Sequence, residues 1–577
     1  LPAVLAAAHL ANVADAAHDE GVIRAVGFGW TGAWRALDPL LAAAFEILPI
    51  GSRSMRAGLA SVLFVAVGAA LLHLVTRRLL AACAATERLG AFVASIATWT
   101  VVCGAAWQLE GASAGGSVLG AVLVLAPMAL LTSRTGIDLR RLPLAVGIAG
   151  LAASYEPLAG ASALAPLVVL VACARWKQGA TVLPTSRVVA SLAAFVVAAL
   201  PLVVGAIRFR SARGLELGGA PFASWAGERG ASLRSTTCDF VRDETSVPIA
   251  LFAVVGLALA LLVARARPLA VALALVSAAG LVAVRLGAPA GATRFAGPVL
   301  AGLAATISLA AVSLQALVRG VAEARIPFAR ASAAMIAMLE LMLPFHAADD
   351  GGARAFDRAR GVAATWDEVA WGALPDGALV LVSDARVMTR VLASRAAGLL
   401  RGDLAIVPTF DLEGVAARAE LVREPNLTAI WRDMALDSHP DEFSLSALAT
   451  GRPLVVVFDA KWEESLARHL VPIGLETRFE PEPRGASDRR RALDAFVPAR
   501  DDLARATVLD RDPELVDVTA RLLRSRALAL AASGEKEMMT RGIDDLHMFA
   551  PKDAVADLIA RRAVRTHGAV DVSDITP

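Results

Sequence analysis

The sequence predicts an α-helical polytopic membrane protein with a C-terminal extracytoplasmic α/β domain and a helical tail. Two observations on composition carry this. Mean hydropathy is +0.59 and 56% of residues are hydrophobic, with 19% charged, whereas a soluble chain has about a quarter charged. The apolar excess is also unevenly spread. Residues 1 to about 346 read as apolar blocks separated by short basic loops, while 347–577 has the charge density of a globular domain. A third observation is a change of hydrophobic period in that second part. The expected division is therefore a membrane domain at 1–346, a soluble α/β domain at 347–512 and a helical tail at 513–577. A net charge of +2 supplies no basic stripe for a nucleic acid partner.

Leu1–Val13 is too short to cross a bilayer that needs about 20 apolar residues. It reads as the exit end of a first membrane helix, with a cleaved signal peptide as the alternative. At least nine membrane-length apolar stretches follow, near 57–76, 89–107, 114–132, 142–154 with 158–174, 188–207, 247–264, 268–284, 296–318 and 329–345. Basic residues at Arg77-Arg78, Arg134 with Arg140-Arg141, Arg175 with Lys177, Arg265 with Arg267, and Arg319 to Arg330 fall on alternate connections. The positive-inside rule makes those connections cytoplasmic. It places the Asp19 loop, the 208–246 loop and the C-terminal domain on the extracytoplasmic side. Arg208, Arg210 and Arg213 count against this, but they open a long loop, which weighs less in the rule. The alternation also requires two short helices around Ser154-Tyr155-Glu156-Pro157; one kinked span there would invert everything after it.

In the soluble part, Ala378–Val382, Leu404–Val407 and Leu454–Phe458 are continuous apolar runs of strand length, and helical patterns follow the first and third. Such alternation predicts a parallel sheet covered on both faces. From about Pro513 to Val564 the pattern is helical, with breaks at Gly534 and Pro551.

Candidate functional residues sit at the outer ends of the spans. Asp19 and Glu20 follow the first apolar segment, where a carboxylate could take a proton from an incoming hydroxyl; the plainer reading is a solvated helix-end acid. Glu110 follows Trp107, and Glu156 follows Tyr155, the single tyrosine. Three converging acids would make a metal or phosphate-linked site, whereas each alone ends a helix. Arg208, Arg210, Arg213 and Arg294 are candidate clamps for a lipid phosphate, or headgroup contacts. Trp30 and Trp34 could stack on a sugar ring or lie on lipid. Asp384 and Asp459 follow predicted strands, where ligands gather in open α/β sheets, but no glycine-rich phosphate motif accompanies them. The cysteines Cys83, Cys103, Cys173 and Cys238 form no CxxC pair and the histidines no HxxxH, so no metal cluster is indicated. Scarce lysine against abundant Arg and Ala suggests a GC-rich bacterial source.

The order of parts resembles a bacterial multi-spanning family of GT-C glycosyltransferase architecture, related to the transmembrane protein O-mannosyltransferases. The resemblance runs through Asp19-Glu20-Gly21, Leu48-Pro49-Ile50-Gly51-Ser52, Arg77-Arg78-Leu79, Arg294-Phe295-Ala296-Gly297-Pro298, the stretches 375–384 and 401–407, and 470–475. It departs from the family where the loop motif's glutamate would stand, at Val22, although Glu20 could take that role. It departs again near Thr31–Ala36 and Ala114–Val118, where motif residues are absent, and at Glu156, where a histidine is expected.

The resemblance implies a bacterial inner (cytoplasmic) membrane enzyme moving a sugar from a polyprenyl-phosphate donor to an extracytoplasmic protein or glycan acceptor, with inversion. Only Asp19 is carried over, as the catalytic base; Glu20, Glu110 and Glu156 are supporting candidates by their placement, and Arg208 or Arg294 would hold the donor phosphate. The partners it implies are membrane lipid and the lipid-linked sugar. No motif indicates another cofactor, and metal dependence is left open. The alternative is a relative that has lost catalysis and serves as a binding or assembly subunit. A transporter is disfavoured because the spans hold almost no polar residues beyond Cys, Ser and Thr.

Overall fold

The computed structural model describes residues 2–10, 18–27, 34–83, 86–133, 136–177, 184–212, 246–287, 295–323, 335, 342–353, 362–410, 412, 415–510, 513–566 and 568–575. The membrane half is built from α1 (Pro2–Ala8), α2 (Asp19–Ala25), α3 (Asp38–Glu46), α4 (Arg53–Ala82), α5 (Glu87–Val102), α6 (Ala105–Ala112), α7 (Val118–Leu131), α8 (Leu142–Tyr155), α9 (Pro157–Lys177), α10 (Thr185–Ala212), α11 (Val247–Leu262), α12 (Arg267–Gly287) and α13 (Ala296–Glu323).

Among the described residues, five helices have the length and apolar character to cross a membrane: Arg53–Ala82, Pro157–Trp176, Thr185–Ile207, Arg267–Leu286 and Ala296–Val321. This corrects the expectation of at least nine full-length stretches. The stretch at 89–107 is two helices bent by 62° at Cys103-Gly104, and it makes a sixth span if the pair is counted as one. Gly104 is extended there, and the Gln108 side chain donates to the Val102 carbonyl at 2.6 Å. It thereby satisfies an acceptor that the broken helix leaves open. The stretches at 114–132 and 247–264 are helices of 14 and 16 residues, roughly 21 and 24 Å long and so shorter than a bilayer core. The stretch at 329–345 lies mostly outside the described residues.

Ser154–Pro157 does separate two helices. Glu156 is extended (φ −144°, ψ 129°), as the residue before a proline prefers. α7 is buried on every residue except Ala126 and Leu130, the signature of a central helix, and it packs against α4, α8, α9 and α13. α10 instead meets α8 along one stripe and leaves Val189, Leu192, Val197 and Ile207 exposed, an apolar face suited to hydrocarbon.

The two ends of the bundle differ. At one end Arg77 pairs with Glu87 at 2.6 Å and Arg78 donates to Thr132 at 3.2 Å. At the other, Ser61 near the start of α4 donates to Ser113 at 2.9 Å, and α2, α3, the 113–117 turn and Glu156 gather. Seventeen residues of α4 separate Ser61 from Arg78, about 25 Å of helix.

The C-terminal half opens with α14 (Val362–Gly372) and alternates β1 (Leu379–Val382), α15 (Ala385–Ala397), β2 (Ala405–Pro408), α16 (Val415–Arg423), α17 (Leu427–Leu436), α18 (Glu442–Gly451) and β3 (Leu454–Val456). It continues with β4 (Leu470–Ile473), β5 (Glu476–Phe479), α19 (Ala486–Asp510), α20 (Pro513–Ala532), α21 (Lys536–Phe549) and α22 (Ala554–Ala563). The three strands expected from the apolar runs pair in parallel, β1 lying between β2 and β3. An antiparallel hairpin, β5 then β4, extends the sheet beyond β3. Pro472 lies on β4, the edge strand, where its missing N–H costs no ladder bond. Breaks near Gly534 and Pro551 separate α20, α21 and α22, as the helical pattern predicts.

One hydrophobic core runs through Trp366, Trp371, Leu379 to Val382, Leu515, Leu523 and Leu546, and it includes Val22, Ile23 and Val26 from α2 and the turn after it. The first juxtamembrane helix is thus packed into the C-terminal domain.

Candidate functional site

Asp19 begins α2, where its charge suits the helix N-terminus; the expectation of a loop carboxylate at a helix exit is corrected by this placement. Its helix is seated by two glycines. Gly115 has φ +67°, and a Cβ on it would lie 2.5 Å from the Gly21 Cα. The α2 backbone therefore rests directly on the 113–117 turn. Asp19 is 1% exposed.

Its partners come from α15. Arg390 donates through Nη1 to Asp19 Oδ1 at 2.9 Å, and Arg386 through Nη1 to Oδ2 at 3.2 Å. Arg390 also donates through Nη2 to Asp367 Oδ2 at 2.6 Å, while Ser394 donates to Asp367 Oδ1 at 2.7 Å. Residues 386, 390 and 394 repeat every four positions, so they share one helix face. Asp384 caps α15 by accepting from the Arg386 and Val387 N–H groups at 2.7 and 2.9 Å, and Asp459 accepts from Lys461 N at 3.0 Å. Both follow strands as expected, and both are engaged in local hydrogen bonds.

A second network lies beside the first. His18 Nε2 is 3.3 Å from Glu110 Oε1, and Glu110 Oε2 accepts from Ser117 N at 2.7 Å. Arg35 donates to Ser117 Oγ at 2.5 Å and pairs with Glu156, its guanidinium 5.4 Å from the centre of the Tyr155 ring. Arg24 bridges Asp38 at 3.2 Å and Glu20 at 3.3 Å. Glu110 and Glu156 are thus joined through Ser117 and Arg35. Glu20 belongs to the Arg24 bridge, and Asp19 faces the C-terminal domain. His18, Asp19, Arg24, Arg35, Asp38, Glu110 and Glu156 are all buried. Charge buried this densely costs more than it returns unless it is paired, and here each of these groups has an oppositely charged neighbour.

Burial pushes the Asp19 carboxyl up to about 6, against the pull of Arg390 and Arg386. Each of its oxygens accepts one arginine hydrogen bond and has a further lone pair. A cavity of about 20 Å³ lies among Asp38, Ser61, Phe64, Gly115, Gly116 and Tyr155, room for roughly one water. A larger, half-open groove of about 300 Å³ lies on the exposed side of α4 and α5, lined by Ala66, Ala69, His73, Thr98 and Trp99 among others, and none of the charged cluster lines it.

The side chains of Arg208 and Arg210, and all of Arg213, Arg294 and Trp30, lie outside the described residues; the backbone at 208 and 210 continues α10, which corrects the expectation that a loop starts at 208. No group of three or more His, Cys, Asp or Glu side chains among the described residues could hold a metal ion. The sequence alone did not single out His18, Arg24, Arg35, Asp38, Asp367, Arg386 or Arg390. The one usable signal was the four-residue spacing of Arg386 and Arg390, which puts two cations on one helix face.

No protein-family model matches the chain, and no curated protein matches it. Among solved structures, ArnT from Cupriavidus metallidurans bound to undecaprenyl phosphate aligns with a TM-score of 0.49 at 15% sequence identity, over 79% of this chain and 91% of that one. ArnT from the same organism in the apo state aligns with a TM-score of 0.48 at 16% identity, over 82% of this chain and 95% of that one. At those values the likeness says nothing about activity.

Proposed function

We propose that this chain is a membrane glycosyltransferase of the GT-C kind, which moves a sugar from a polyprenyl-phosphate donor to an acceptor hydroxyl on the extracytoplasmic side. The observation that carries the reading is the buried charged cluster of Asp19, Glu110, Glu156 and their arginines. It lies at the bundle end away from Arg77, Arg78 and Arg141, directly beneath the C-terminal domain. The order of sequence elements described above supports it further.

In the proposed step Asp19 takes the proton of the acceptor hydroxyl. The acceptor oxygen forms a bond to the anomeric carbon from the face opposite the phosphate. The bond from that carbon to the phosphate oxygen breaks, and polyprenyl phosphate leaves with the electron pair. The anomeric centre is inverted. Arg208 and Arg294 are the residues we assign to the donor phosphate, whose oxygens an arginine fork matches. A carboxyl titrating near 6 is ionised at neutral pH and close enough to it to accept a proton efficiently.

The test is transfer by purified protein from a polyprenyl-phosphate sugar. Asp19→Asn should lower kcat by about 10²- to 10⁴-fold, and the wild-type rate should fall as the pH drops through about 6. Undiminished turnover in Asp19→Asn removes Asp19 from the mechanism.

A second reading is favoured by one observation: both Asp19 oxygens are bonded, and the cavity in the cluster has a volume of about 20 Å³. On this reading the chain is a non-catalytic binding or assembly subunit. It predicts no transfer by the wild-type protein from any polyprenyl-phosphate sugar.

A further inference from the structure

Asp19 and its partners belong to different parts of the chain. The aspartate starts the juxtamembrane helix α2, whereas Arg386, Arg390 and Asp367 belong to the C-terminal domain. We infer that Arg390, with Arg386 beside it, is a positioning pair that fixes the Asp19 carboxylate for proton transfer, so that the C-terminal domain supplies half of the site. This rests on Asp19 being the base of the proposed transfer.

Arg390 is itself held in place. It is fully buried, Asp367 takes its second amino group at 2.6 Å, and its guanidinium lies 5.8 Å from the centre of the Trp366 ring. Trp366 in turn donates to Thr519 at 2.8 Å, which ties the assembly to α20. The two arginines take different oxygens of Asp19, which fixes the plane of the carboxylate. A helix of seven residues cannot hold a side chain by its own stability, because isolated helices that short do not persist. Nor does the interface need the ion pairs for adhesion. Val22, Ile23 and Val26 already lie in the C-terminal core, and apolar residues serve stability at least as well as buried ion pairs. What the arginines add is orientation.

Among the described residues, the charged groups acting on Asp19 are Arg386 and Arg390 on α15 and Asp367 on α14, with Glu20 and Arg24 on its own helix. Removing a cation from this set raises the affinity of the carboxylate for a proton.

The experiment uses the full chain in detergent and compares wild type with Arg386→Met, Arg390→Met, Arg390→Lys and Asp367→Asn. Two readouts are taken. Modification of Asp19 by dicyclohexylcarbodiimide, which attacks the protonated carboxyl, is followed against pH by mass spectrometry. Sugar transfer is followed against pH in parallel.

Arg386→Met, the mildest change because Arg386 is partly exposed, should move both the labelling midpoint and the acid limb of kcat/KM up by about one pH unit. Arg390→Met should label about tenfold faster at pH 7. Arg390→Lys should recover thermal stability without recovering the wild-type rate, since an ammonium lacks the planar fork that reaches two carboxylates. Asp367→Asn, which does not touch Asp19, should lower kcat with KM unchanged. If Arg386→Met folds and transfers sugar with both midpoints unmoved, the inference is wrong while the transfer reading survives. If wild type transfers nothing although its labelling midpoint shifts in the variants, the transfer reading is wrong while the electrostatic coupling stands.

Discussion

Glu476 on β5 is 2% exposed, and burial pushes its carboxyl from 4.5 up to about 8, with its own backbone N–H and Arg526 opposing only in part. The sign of the effect on stability follows directly. The unfolded chain releases this proton near 4.5 and the folded chain near 8, so the group destabilises the fold progressively as pH rises through that window. Below 4.5 it makes no difference. At pH 7 the gap is about 2.5 units, roughly 3 kcal/mol at about 1.4 kcal/mol per unit. Glu476→Gln should flatten the dependence of the thermal midpoint between pH 5 and pH 8; a variant that tracks wild type across that range contradicts this. Legibility at this scale was one-sided. Asp19, Glu110 and Glu156 stood out as acids at the ends of apolar stretches, because few acids occur there. Their partners did not: Asp19 and Arg386 are 367 residues apart, and no local pattern links an arginine on a soluble helix to a particular carboxylate. Arg35, with φ +58°, lies in a loop whose pattern gave no sign of it.

Most helices were readable as elements, because long apolar runs in a membrane have few alternatives. The misses have local causes. The 62° break between α5 and α6 occurs at Gly104 inside a continuous apolar run, where hydropathy shows nothing and a single Gln side chain stabilises the bend. The β4–β5 hairpin was missed because Pro472 and Glu476 disturb the apolar pattern, although a two-residue turn with Gly474 at φ +59° is a hairpin signal. The seat of α2 on the 113–117 turn is the element contact on which the site depends. Gly115→Ala introduces a Cβ 2.5 Å from the Gly21 backbone at a positive φ, a strain of about 1–3 kcal/mol. The expected result is a lower thermal midpoint in detergent and loss of Asp19 from its arginines, read as faster carbodiimide labelling. An unchanged midpoint with unchanged labelling contradicts the described seat.

At the scale of the whole molecule, the division into a membrane part and an α/β part was legible from composition, since charge density changes near residue 346. What composition does not carry is how the parts join. A helix near the N-terminus lies in the core of a domain more than three hundred residues later, a tertiary contact that neither periodicity nor propensity encodes. The proposed chemistry needs this junction, because it brings Asp19 to Arg386 and Arg390. A direct measurement uses Gly27 after α2 and Ala396 on α15: a Cβ on Gly27 would lie 3.0 Å from the Ala396 Cβ, so a separation of about half an ångström brings the pair into the roughly 3.5–4.5 Å that a disulfide spans. In a background lacking the four native cysteines, Gly27→Cys with Ala396→Cys should cross-link nearly completely under mild oxidation, and either cysteine alone should not. A pair that remains reduced under the same oxidant, in protein that is folded, would show that the first helix and the C-terminal domain do not meet.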